Sequence, residues 1–465
     1  MRPLKKIHPG SLYSFYSGLN TDLYELTMAA AYYERGMNET ATFSLFIRDY
    51  PPARRYFVAA GLAEAIAFLQ KIAFSPEDLS YLESLKMFRP EFLSYLEKFR
   101  FRGQVRAIPE GRLFFAGEPV LEVEGPLIEA QMVETALINL VHVQVMIATK
   151  ASRCFQAAQG RQLIDFSFRR THGLEASLHV ARASFIAGFA GTSNVLAGYL
   201  YGIPVYGTMA HSFVSSFDQE TEAFRAYADT FPERTIFLID TYDTILGAKK
   251  AAQVGREMAK GGHKLLGVRL DSGEMASLSR RVRKILDKAG LKEAKILASG
   301  AFDEYKIEAV LKKGAAIDAF GVGTKMGVSA DAPYFDMAYK MVEYAGRQIL
   351  KLSPGKATLV GGKQVWRFYD RKGKYHHDVI ALKEENMAGG EALLQPVLNQ
   401  GKLINPLPSL REIQQTFLRD YAQLPEKYKA IRAGGPFYPV RLSATLRQRQ
   451  TKTVRLVKEK ELGES

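Results

Sequence analysis

Short apolar stretches alternate with helical stretches through the middle of the chain, from about residue 161 to residue 325. The apolar stretches, each of which predicts a buried strand, are RQLIDFSF, GTSNVLAG, PVYGTMA, RTIFLID, KLLGVRLD, AKILASG and DAFGVGT. Strands that alternate with helices form a parallel sheet, because each helix carries the chain back to the same edge. Six or seven such units predict a closed or nearly closed α/β barrel.

The region before the barrel mixes the two kinds of element. NTDLYELTMAAAYYERG predicts a helix that Asn20 or Thr21 caps and that Gly36 ends. Asp22 and Glu25 lie in its first turn, where the helix dipole stabilises a carboxylate. ATFSLFIRDY then alternates apolar and polar residues, which predicts a half-buried strand. This mixture is typical of an α+β domain.

The region after the barrel has the pattern of antiparallel strands with tight turns, in YKMVEYAGRQILKLS and KQVWRFYDRKGKYHHDVIAL. The end of the chain, from about residue 425, is basic, and we expect it to wrap the surface. We predict an N-terminal α+β domain over residues 1–135, an α/β barrel over residues 136–340 and a C-terminal region over residues 341–465.

Cysteine content and hydropathy exclude several classes of protein. The single cysteine, Cys154, excludes an intramolecular disulfide framework and a zinc site built from several cysteines. It predicts a buried thiol in a reducing compartment. No apolar run approaches the roughly 20 residues of a membrane span, and the first residues lack the apolar core of a signal peptide. We therefore expect a cytoplasmic protein with no membrane partner.

The formal net charge of +14 has two interpretations, which are nucleic-acid binding and attraction of a small polyanionic substrate. Dense basic runs occur in KKIH and in the tail RLSATLRQRQTKTVRLVKEK, which lacks interleaved aromatic residues. Most of the other basic residues are scattered, as on a solvated surface. We expect no nucleic-acid partner, and a basic nucleic-acid-binding protein remains the alternative from another class.

Residues that can bind a ligand follow the predicted strands, at the point where each strand ends. The carboxyl ends of barrel strands build one active site, so we expect these residues to converge. They are Asp165, Phe166, Arg169, Arg170, His172, Thr192, Ser193, Asn194, Thr208, His211, Ser212, Asp240, Thr241, Asp243, Arg269, Asp271, Ser272, Ser299, Gly300, Gly321, Gly323, Thr324 and Lys325.

The last of these strands runs into GVGTKMG, whose glycines let backbone N–H groups approach an oxyanion. Such a turn alone fits a plain loop equally well. Arg169 and Arg170 suit phosphate groups, although an adjacent pair of arginines is ordinarily a surface feature. Together with the aspartates at equivalent strand ends, the pattern predicts a site for phosphates and a magnesium ion.

His211 follows PVYGTMA and is one of eight histidines in the chain. A histidine at a strand end can simply cap a loop carbonyl, and this stretch by itself favours that structural role. A neutral imidazole can also attack phosphorus, provided that a carboxylate fixes its tautomer and then stabilises the charge. The surrounding motifs decide between the two roles.

Several motifs occur in a specific order: NTDLYELTMAAAYYERG, DFSFRRTHG, GTSNVLAG, GTMAHSFV, IDTYDT, VRLDSGE and FGVGT. In these motifs, which end near residue 330, the chain resembles the nicotinate phosphoribosyltransferase family and, more distantly, nicotinamide phosphoribosyltransferase. The resemblance implies an irregular α/β fold: a split, funnel-like barrel with an α+β domain built from both chain ends.

The resemblance also implies a reaction that belongs to NAD salvage. Nicotinate and phosphoribosyl pyrophosphate form nicotinate mononucleotide and pyrophosphate, and ATP hydrolysis is coupled through a phosphohistidine, which places such enzymes among the ligases. By motif the phosphorylated residue is His211, and Asp240 fixes its tautomer, with Asp243 as the alternative. Asp271 suits the ribose hydroxyls or the magnesium ion, which the substrate phosphates mainly hold.

The resemblance assigns the remaining site residues by position. Those near nicotinate are Tyr24, Phe166, Ser193, Thr208 and Arg269, and those near the ribose and phosphates are Arg169, Arg170, Ser299, Gly300, Gly323 and Thr324. Tyr24 and Phe166 would stack on the ring, although each also fits an ordinary place on a surface helix or in the core. The family's matching tyrosine comes from the neighbouring subunit, which implies a homodimer with shared active sites.

One motif departs from the family, because DSGE stands where many relatives have DSGD, and this leaves a metal contact of Glu274 undecided. The main alternative among enzymes is quinolinate phosphoribosyltransferase, which also has a funnel-like barrel. That family has a shorter chain and no phosphorylated histidine, so GTMAHSFV and IDTYDT argue against it.

Overall fold

The computed structural model describes residues 15–353 and 358–463. The basic run KKIH lies outside the described residues. Within them, a parallel sheet and an antiparallel sheet organise two domains, and no helix is both long and apolar enough to cross a membrane.

In chain order, the strands are β1 (Thr40–Ile47), β2 (Phe57–Val58), β3 (Gln104–Ala107), β4 (Leu113–Phe114), β5 (Pro119–Pro126), β6 (Gln162–Asp165), β7 (Gly191–Thr192), β8 (Ile236–Leu238), β9 (Gly267–Leu270), β10 (Lys295–Ala298), β11 (Ala319–Val322), β12 (Met337–Tyr344), β13 (Arg347–Gln348), β14 (Lys363–Tyr369), β15 (Tyr375–Leu382), β16 (Glu391–Ala392), β17 (Gln395–Asn399), β18 (Lys402–Leu403) and β19 (Val440–Leu442).

The α-helices are α1 (Leu23–Glu34), α2 (Leu62–Lys71), α3 (Pro76–Ser84), α4 (Pro90–Glu97), α5 (Leu127–Met132), α6 (Glu134–Ala158), α7 (Leu174–Ile186), α8 (Val195–Tyr201), α9 (His211–Ser215), α10 (Glu220–Thr230), α11 (Thr244–Lys260), α12 (Met275–Lys288), α13 (Glu304–Lys312), α14 (Thr324–Gly327), α15 (Leu410–Gln423) and α16 (Ala444–Leu462). Turns of 3₁₀ helix lie at Phe168–Arg170 and Glu426–Tyr428.

The barrel sheet has the strand order β7, β6, β11, β10, β9, β8, and its strands pair in parallel. The chain passes from β8 to β11 through α11, α12 and α13, one helix between each pair of strands. This confirms the predicted alternation and the α/β class. Because the strands are parallel, their carboxyl ends lie at one edge of the sheet.

Two predicted barrel strands differ from the structure. GTSNVLAG is a strand only in β7, because Asn194 then caps α8 by accepting a hydrogen bond from Ala197 N at 3.1 Å. The predicted strand over residues 205–209 is wrong, since Val205 makes a single parallel bridge with Thr192 and the chain then leaves the sheet. Tyr206 is exposed, so the apolar pattern of this segment does not reflect burial in the barrel.

Both ends of the chain build the antiparallel sheet, whose strand order is β13, β12, β1, β5, β3, β17, β18. The predicted α+β domain from both chain ends is therefore confirmed, as is the antiparallel hairpin of β14 and β15. β1 lies between β12 and β5 and is buried along most of its length, so the prediction of a half-buried strand is wrong. The domain limits at residues 135 and 340 stay predictions.

The helices at the two chain ends refine the sequence pattern. The cap position of α1 is Asp22, rather than Asn20 or Thr21, and Glu25 is buried instead of facing solvent. Gly36 follows the helix with φ +65°, a left-handed conformation that glycine adopts freely. The basic tail, which we expected to wrap the surface, forms α16.

A buried ion cluster joins the two domains. Lys150, on α6, contacts Glu304 at 2.6 Å and Asp331 at 2.7 Å. Arg153 binds Glu304 at 2.8 Å, and Arg54 binds Asp331 at 2.9 Å. The side chains of Lys150 and Glu304 are almost fully buried, so each charge depends on its partners rather than on water. Cys154 lies in the same helix and is buried, as predicted.

We predict that Glu304→Gln lowers the free energy of unfolding by about 3–5 kcal/mol, because removing one partner of a buried ion pair leaves the other charge uncompensated. Urea titration followed by fluorescence measures the change. The control is Glu459→Gln, which breaks an exposed pair with Arg455 on α16 and should not shift the unfolding midpoint. Equal stability of the two variants would contradict a structural role for the cluster.

Candidate active site

The carboxyl end of β6 is built around a buried carboxylate. Asp165 accepts hydrogen bonds from Ser167 N at 2.9 Å and from Thr192 Oγ1 at 2.7 Å. Burial raises the pKa of Asp165 above its ordinary value. These bonds hold β6 against β7, so Asp165 organises the strand ends. Ser193, beside it, donates its backbone N–H to Asp165 O at 2.8 Å, and its side chain is half-buried.

The aromatic ring of Phe166 lies against a glycine. A Cβ atom at Gly321 would come within 2.5 Å of the Phe166 ring, so only glycine leaves room for it. The ring packs on a small apolar cluster of Ile164, Leu297 and Ala319 and stays partly exposed. An aromatic ring in this position, fixed beneath and open to the strand ends, can stack on a planar ligand.

Arg269, on β9, donates a hydrogen bond from Nη1 to Thr208 Oγ1 at 2.7 Å. The two residues were predicted to lie together, and the structure brings them into contact. Nε of Arg269 is buried and has no hydrogen-bond partner within the described part of the chain. Burial lowers the pKa of Arg269, against the opposing charges of Asp271 and Asp240. A buried guanidinium N–H without an acceptor suits the carboxylate of a ligand.

A polar network fixes the ends of β8, β9 and β10. Asp240 Oδ2 accepts from Asp271 N at 2.9 Å and from Ser272 Oγ at 2.6 Å. Asp271 in turn accepts a hydrogen bond from Ser299 Oγ. Gly300 has φ +99°, and a Cβ there would lie 2.0 Å from the Asp271 carbonyl oxygen, so this close approach requires glycine.

His211 is the first residue of α9, not the end of a strand. Its Nδ1 lies 3.1 Å from Thr241 Oγ1. Asp240, the predicted partner, is directed to the backbone and hydroxyl groups that follow β9 and makes no hydrogen bond with the imidazole. Asp243, the alternative, caps α11 by accepting from Ile245 N and Leu246 N. Thr241 was among the predicted strand-end residues, but its hydroxyl was not predicted as the partner of His211.

Other predicted phosphate-binding residues lie at the ends of β6 and β11. Arg169 and Arg170 are exposed on the 3₁₀ turn after Phe166, and Arg170 Nη1 lies 3.4 Å from Thr324 Oγ1. Gly323 precedes α14, and Lys325 pairs with Asp303 at 2.8 Å. Exposed cations beside a glycine turn give this face the charge that a phosphorylated ligand needs.

Two candidates lie elsewhere. Glu274 caps α12 by accepting from Ser277 N at 2.7 Å, which lowers the pKa of its exposed carboxyl and explains the residue without a metal. Tyr24 is half-exposed on α1 beside Glu25 and Glu134, away from the barrel strand ends. Within residues 15–353 and 358–463, no group of three or more His, Cys, Asp or Glu residues is placed to hold a metal ion.

Sequence profiles match three parts of the chain. The nicotinate phosphoribosyltransferase (NAPRTase) N-terminal domain matches residues 19–142, the NAPRTase family matches residues 161–356, and the C-terminal domain matches residues 388–450. These matches cover all the strand ends described above.

Relatives and solved structures agree with the profiles. A nicotinate phosphoribosyltransferase of Mycobacterium tuberculosis (strain ATCC 25618 / H37Rv) is 43% identical over 94% of this chain and 92% of its own length. The Bacillus subtilis (strain 168) enzyme is 38% identical over 91% of this chain and 92% of its own length.

Two crystal structures share the fold. That of human nicotinic acid phosphoribosyltransferase superposes with a TM-score of 0.84, at 29% identity, and covers 93% of this chain and 99% of its own. That of nicotinate-nucleotide pyrophosphorylase from Pyrococcus furiosus gives 0.72, at 28% identity, over 87% of this chain and 95% of its own. On these matches, the chain belongs to the nicotinate phosphoribosyltransferase family.

Proposed function

We propose that this protein transfers the phosphoribosyl group of phosphoribosyl pyrophosphate to nicotinate, and so feeds NAD synthesis by salvage. The observation that carries the proposal is the buried Nε–H of Arg269, which has no acceptor among the described residues, at the same sheet edge as the exposed arginines. One side of the site suits the carboxylate of a small aromatic acid, and the other side suits phosphates.

In the proposed reaction the ring nitrogen of nicotinate attacks the anomeric carbon, and the bond from that carbon to the pyrophosphate oxygen breaks. Phe166 stacks on the ring, while Arg269, Thr208 and Ser193 orient its carboxylate. Charge develops on the ribose as the bond breaks, and the neighbouring Asp271 stabilises it or binds the ribose hydroxyls. The phosphates lie against Arg169, Arg170, Ser299, Gly300, Gly323 and Thr324.

A magnesium ion fits this arrangement without a protein cage. Mg²⁺ commonly binds through one or two carboxylates and the phosphates of the substrate, and Asp271 and Asp240 supply carboxylates at the strand ends. Asp240 Oδ1 is buried and has no partner within the described residues. When bound, the ion would neutralise charge on the pyrophosphate.

ATP hydrolysis is coupled to transfer, in our proposal, through His211. A nitrogen of the neutral imidazole attacks the γ-phosphorus of ATP, the bond to the ADP oxygen breaks, and water later hydrolyses the phosphoimidazole. The exposed position of His211 at the start of α9 supports this role, because a bulky phosphate donor must reach the ring.

The proposed assembly is a homodimer with shared sites. Large apolar side chains are exposed on and near α8, beside the strand end that carries Ser193: Val195 is 71% exposed, Tyr199 84% and Leu174 78%. Tyr24 is exposed on α1. A second copy would cover such an apolar face and bring its Tyr24 to the nicotinate pocket.

The direct test incubates the protein with nicotinate, phosphoribosyl pyrophosphate, Mg²⁺ and ATP, and detects nicotinate mononucleotide by chromatography. Quinolinate replaces nicotinate in a parallel reaction. A mononucleotide product in the nicotinate reaction and none in the quinolinate reaction supports the proposal. A product in the quinolinate reaction only would contradict the proposal and indicate a quinolinate phosphoribosyltransferase. Salt-sensitive retention of DNA with no product in either reaction would contradict it and indicate a nucleic-acid-binding protein.

His211→Ala should remove the acceleration of transfer by ATP and leave slow, ATP-independent transfer, because the phosphate acceptor is lost. Initial rates with and without ATP measure the ratio. The control is His263→Ala. His263 follows α11 and pairs with Glu233 at 2.8 Å, so this variant should keep the parent's ratio of rates with and without ATP. An unchanged ratio in His211→Ala would rule out the phosphohistidine.

Ser193→Asp should lower kcat/KM for nicotinate about tenfold or more, since an added carboxylate near the substrate carboxylate costs about 1–3 kcal/mol. The matched control is Ser193→Asn, which has nearly the same shape as aspartate without its charge and should lose less. Competition between nicotinate and nicotinamide measures selectivity. If the two variants show the same selectivity, Ser193 does not contact the carboxylate.

Tyr24→Ala and Arg269→Ala should each be nearly inactive as homodimers if every site needs Arg269 from one chain and Tyr24 from the other. Random reassociation of an equal mixture makes about half of the dimers mixed, each with one intact site, so about a quarter of all sites should recover activity. Subunit exchange is verified by native mass spectrometry. A fully exchanged mixture with no gain would place Tyr24 outside the partner's site.

A further inference from the structure

The hydrogen bond between His211 and Thr241 joins two separately anchored elements. His211 begins α9, which Val214 fixes by burial in the core and Phe213 by ring contacts with Phe217 and Tyr227. Thr241 follows the end of β8, where the neighbouring Asp240 is bonded to the chain after β9. The bond between Nδ1 and Oγ1, at 3.1 Å, therefore links α9 to the segment that follows β8.

The carboxylates flanking Thr241 in the sequence hydrogen-bond to groups other than the imidazole. Asp240 accepts from Asp271 N and Ser272 Oγ, and Asp243 accepts from two backbone N–H groups at the start of α11. Within residues 15–353 and 358–463, the side chain that hydrogen-bonds to the His211 imidazole is that of Thr241. The chain thus places a neutral hydroxyl where a carboxylate was expected.

The chemistry of the two partners differs. A carboxylate stabilises the protonated imidazole, which has no lone pair to attack phosphorus. A hydroxyl is neutral, and when its oxygen accepts from Nδ1–H it fixes the tautomer whose Nε2 lone pair is free to attack. A hydroxyl partner therefore holds the ring in place and keeps it nucleophilic.

We propose that Thr241 is the positioning residue of His211: its hydroxyl orients the imidazole for phosphoryl transfer from ATP. This rests on the proposed phosphorylation of His211. Thr241 acts through the histidine and needs no contact with ATP. The property that matters is the hydroxyl group, rather than the size of the side chain.

The test measures initial rates of ³²P transfer from [γ-³²P]ATP to the protein in Thr241→Val and Thr241→Ser. Valine has the shape of threonine without the hydroxyl, and serine keeps the hydroxyl. We expect Thr241→Val to label about five- to tenfold more slowly, the scale of one lost neutral hydrogen bond, with an unchanged KM for ATP. Thr241→Ser should restore most of the parent rate.

Controls separate the possible failures. Thr244→Val, a half-buried threonine in the first turn of α11, should label at the parent rate. If His211→Ala takes up label as fast as the parent, the phosphohistidine itself is wrong. Suppose instead that His211→Ala takes up no label. If Thr241→Val then labels at the parent rate, or if Thr241→Ser labels as slowly as Thr241→Val, only the role of Thr241 is wrong. Should Thr241→Val not fold, Thr241→Ala serves in the same comparison.

Discussion

The buried ion cluster around Lys150 fixes the frame on which the site is built. Its ammonium group lies between Glu304, at the start of a barrel helix, and Asp331, in the segment that follows the phosphate-side turn. Arg54, from the N-terminal domain, binds the same Asp331. Buried charges are tolerated only when their partners are held in place. This cluster therefore positions the N-terminal domain relative to two parts of the barrel domain: the helix that begins at Glu304 and the segment that contains Asp331.

The strand ends differ from this cluster, because some of their buried polar groups have no hydrogen-bond partner among residues 15–353 and 358–463. One carboxylate oxygen of Asp240 accepts hydrogen bonds from the segment after β9, whereas the other oxygen and Nε of Arg269 are buried with no partner in the described part of the chain. An unmade buried hydrogen bond costs about 1–3 kcal/mol. Bonds from Asp165, Ser299 and their neighbours hold the surrounding strands rigid. The site is therefore stable as a scaffold and unsatisfied where a ligand would bind.

Local patterns predicted the fold class, because the alternation of strands and helices and the hairpin of β14 and β15 depend on neighbouring residues. They failed where tertiary pairing decides: residues 205–209 have a strand's composition, but Val205 forms only an isolated bridge with Thr192, through hydrogen bonds of Pro204 and Tyr206 at the sheet edge. Thr208 and Arg269 were placed together by the family resemblance, and they are in contact although Thr208 does not end a barrel strand. The partner of His211 was not predicted, because the direction of a side chain after a strand depends on competing donors, here Asp271 N and Ser272 Oγ.

In helix α1 the burial of side chains does not follow their polarity. It buries Glu25 and exposes Leu23 and Tyr24, the reverse of what polarity alone predicts. Burial raises the pKa of Glu25 to about 7, and Gln131 donates to its carboxylate at 2.6 Å. The buried acid ties α1 to α5, so the helix cannot rotate to hide its aromatic residue without breaking that bond. A helix held in this orientation keeps the Tyr24 ring outward, which is the arrangement that the proposed site, completed by a second copy of the chain, requires.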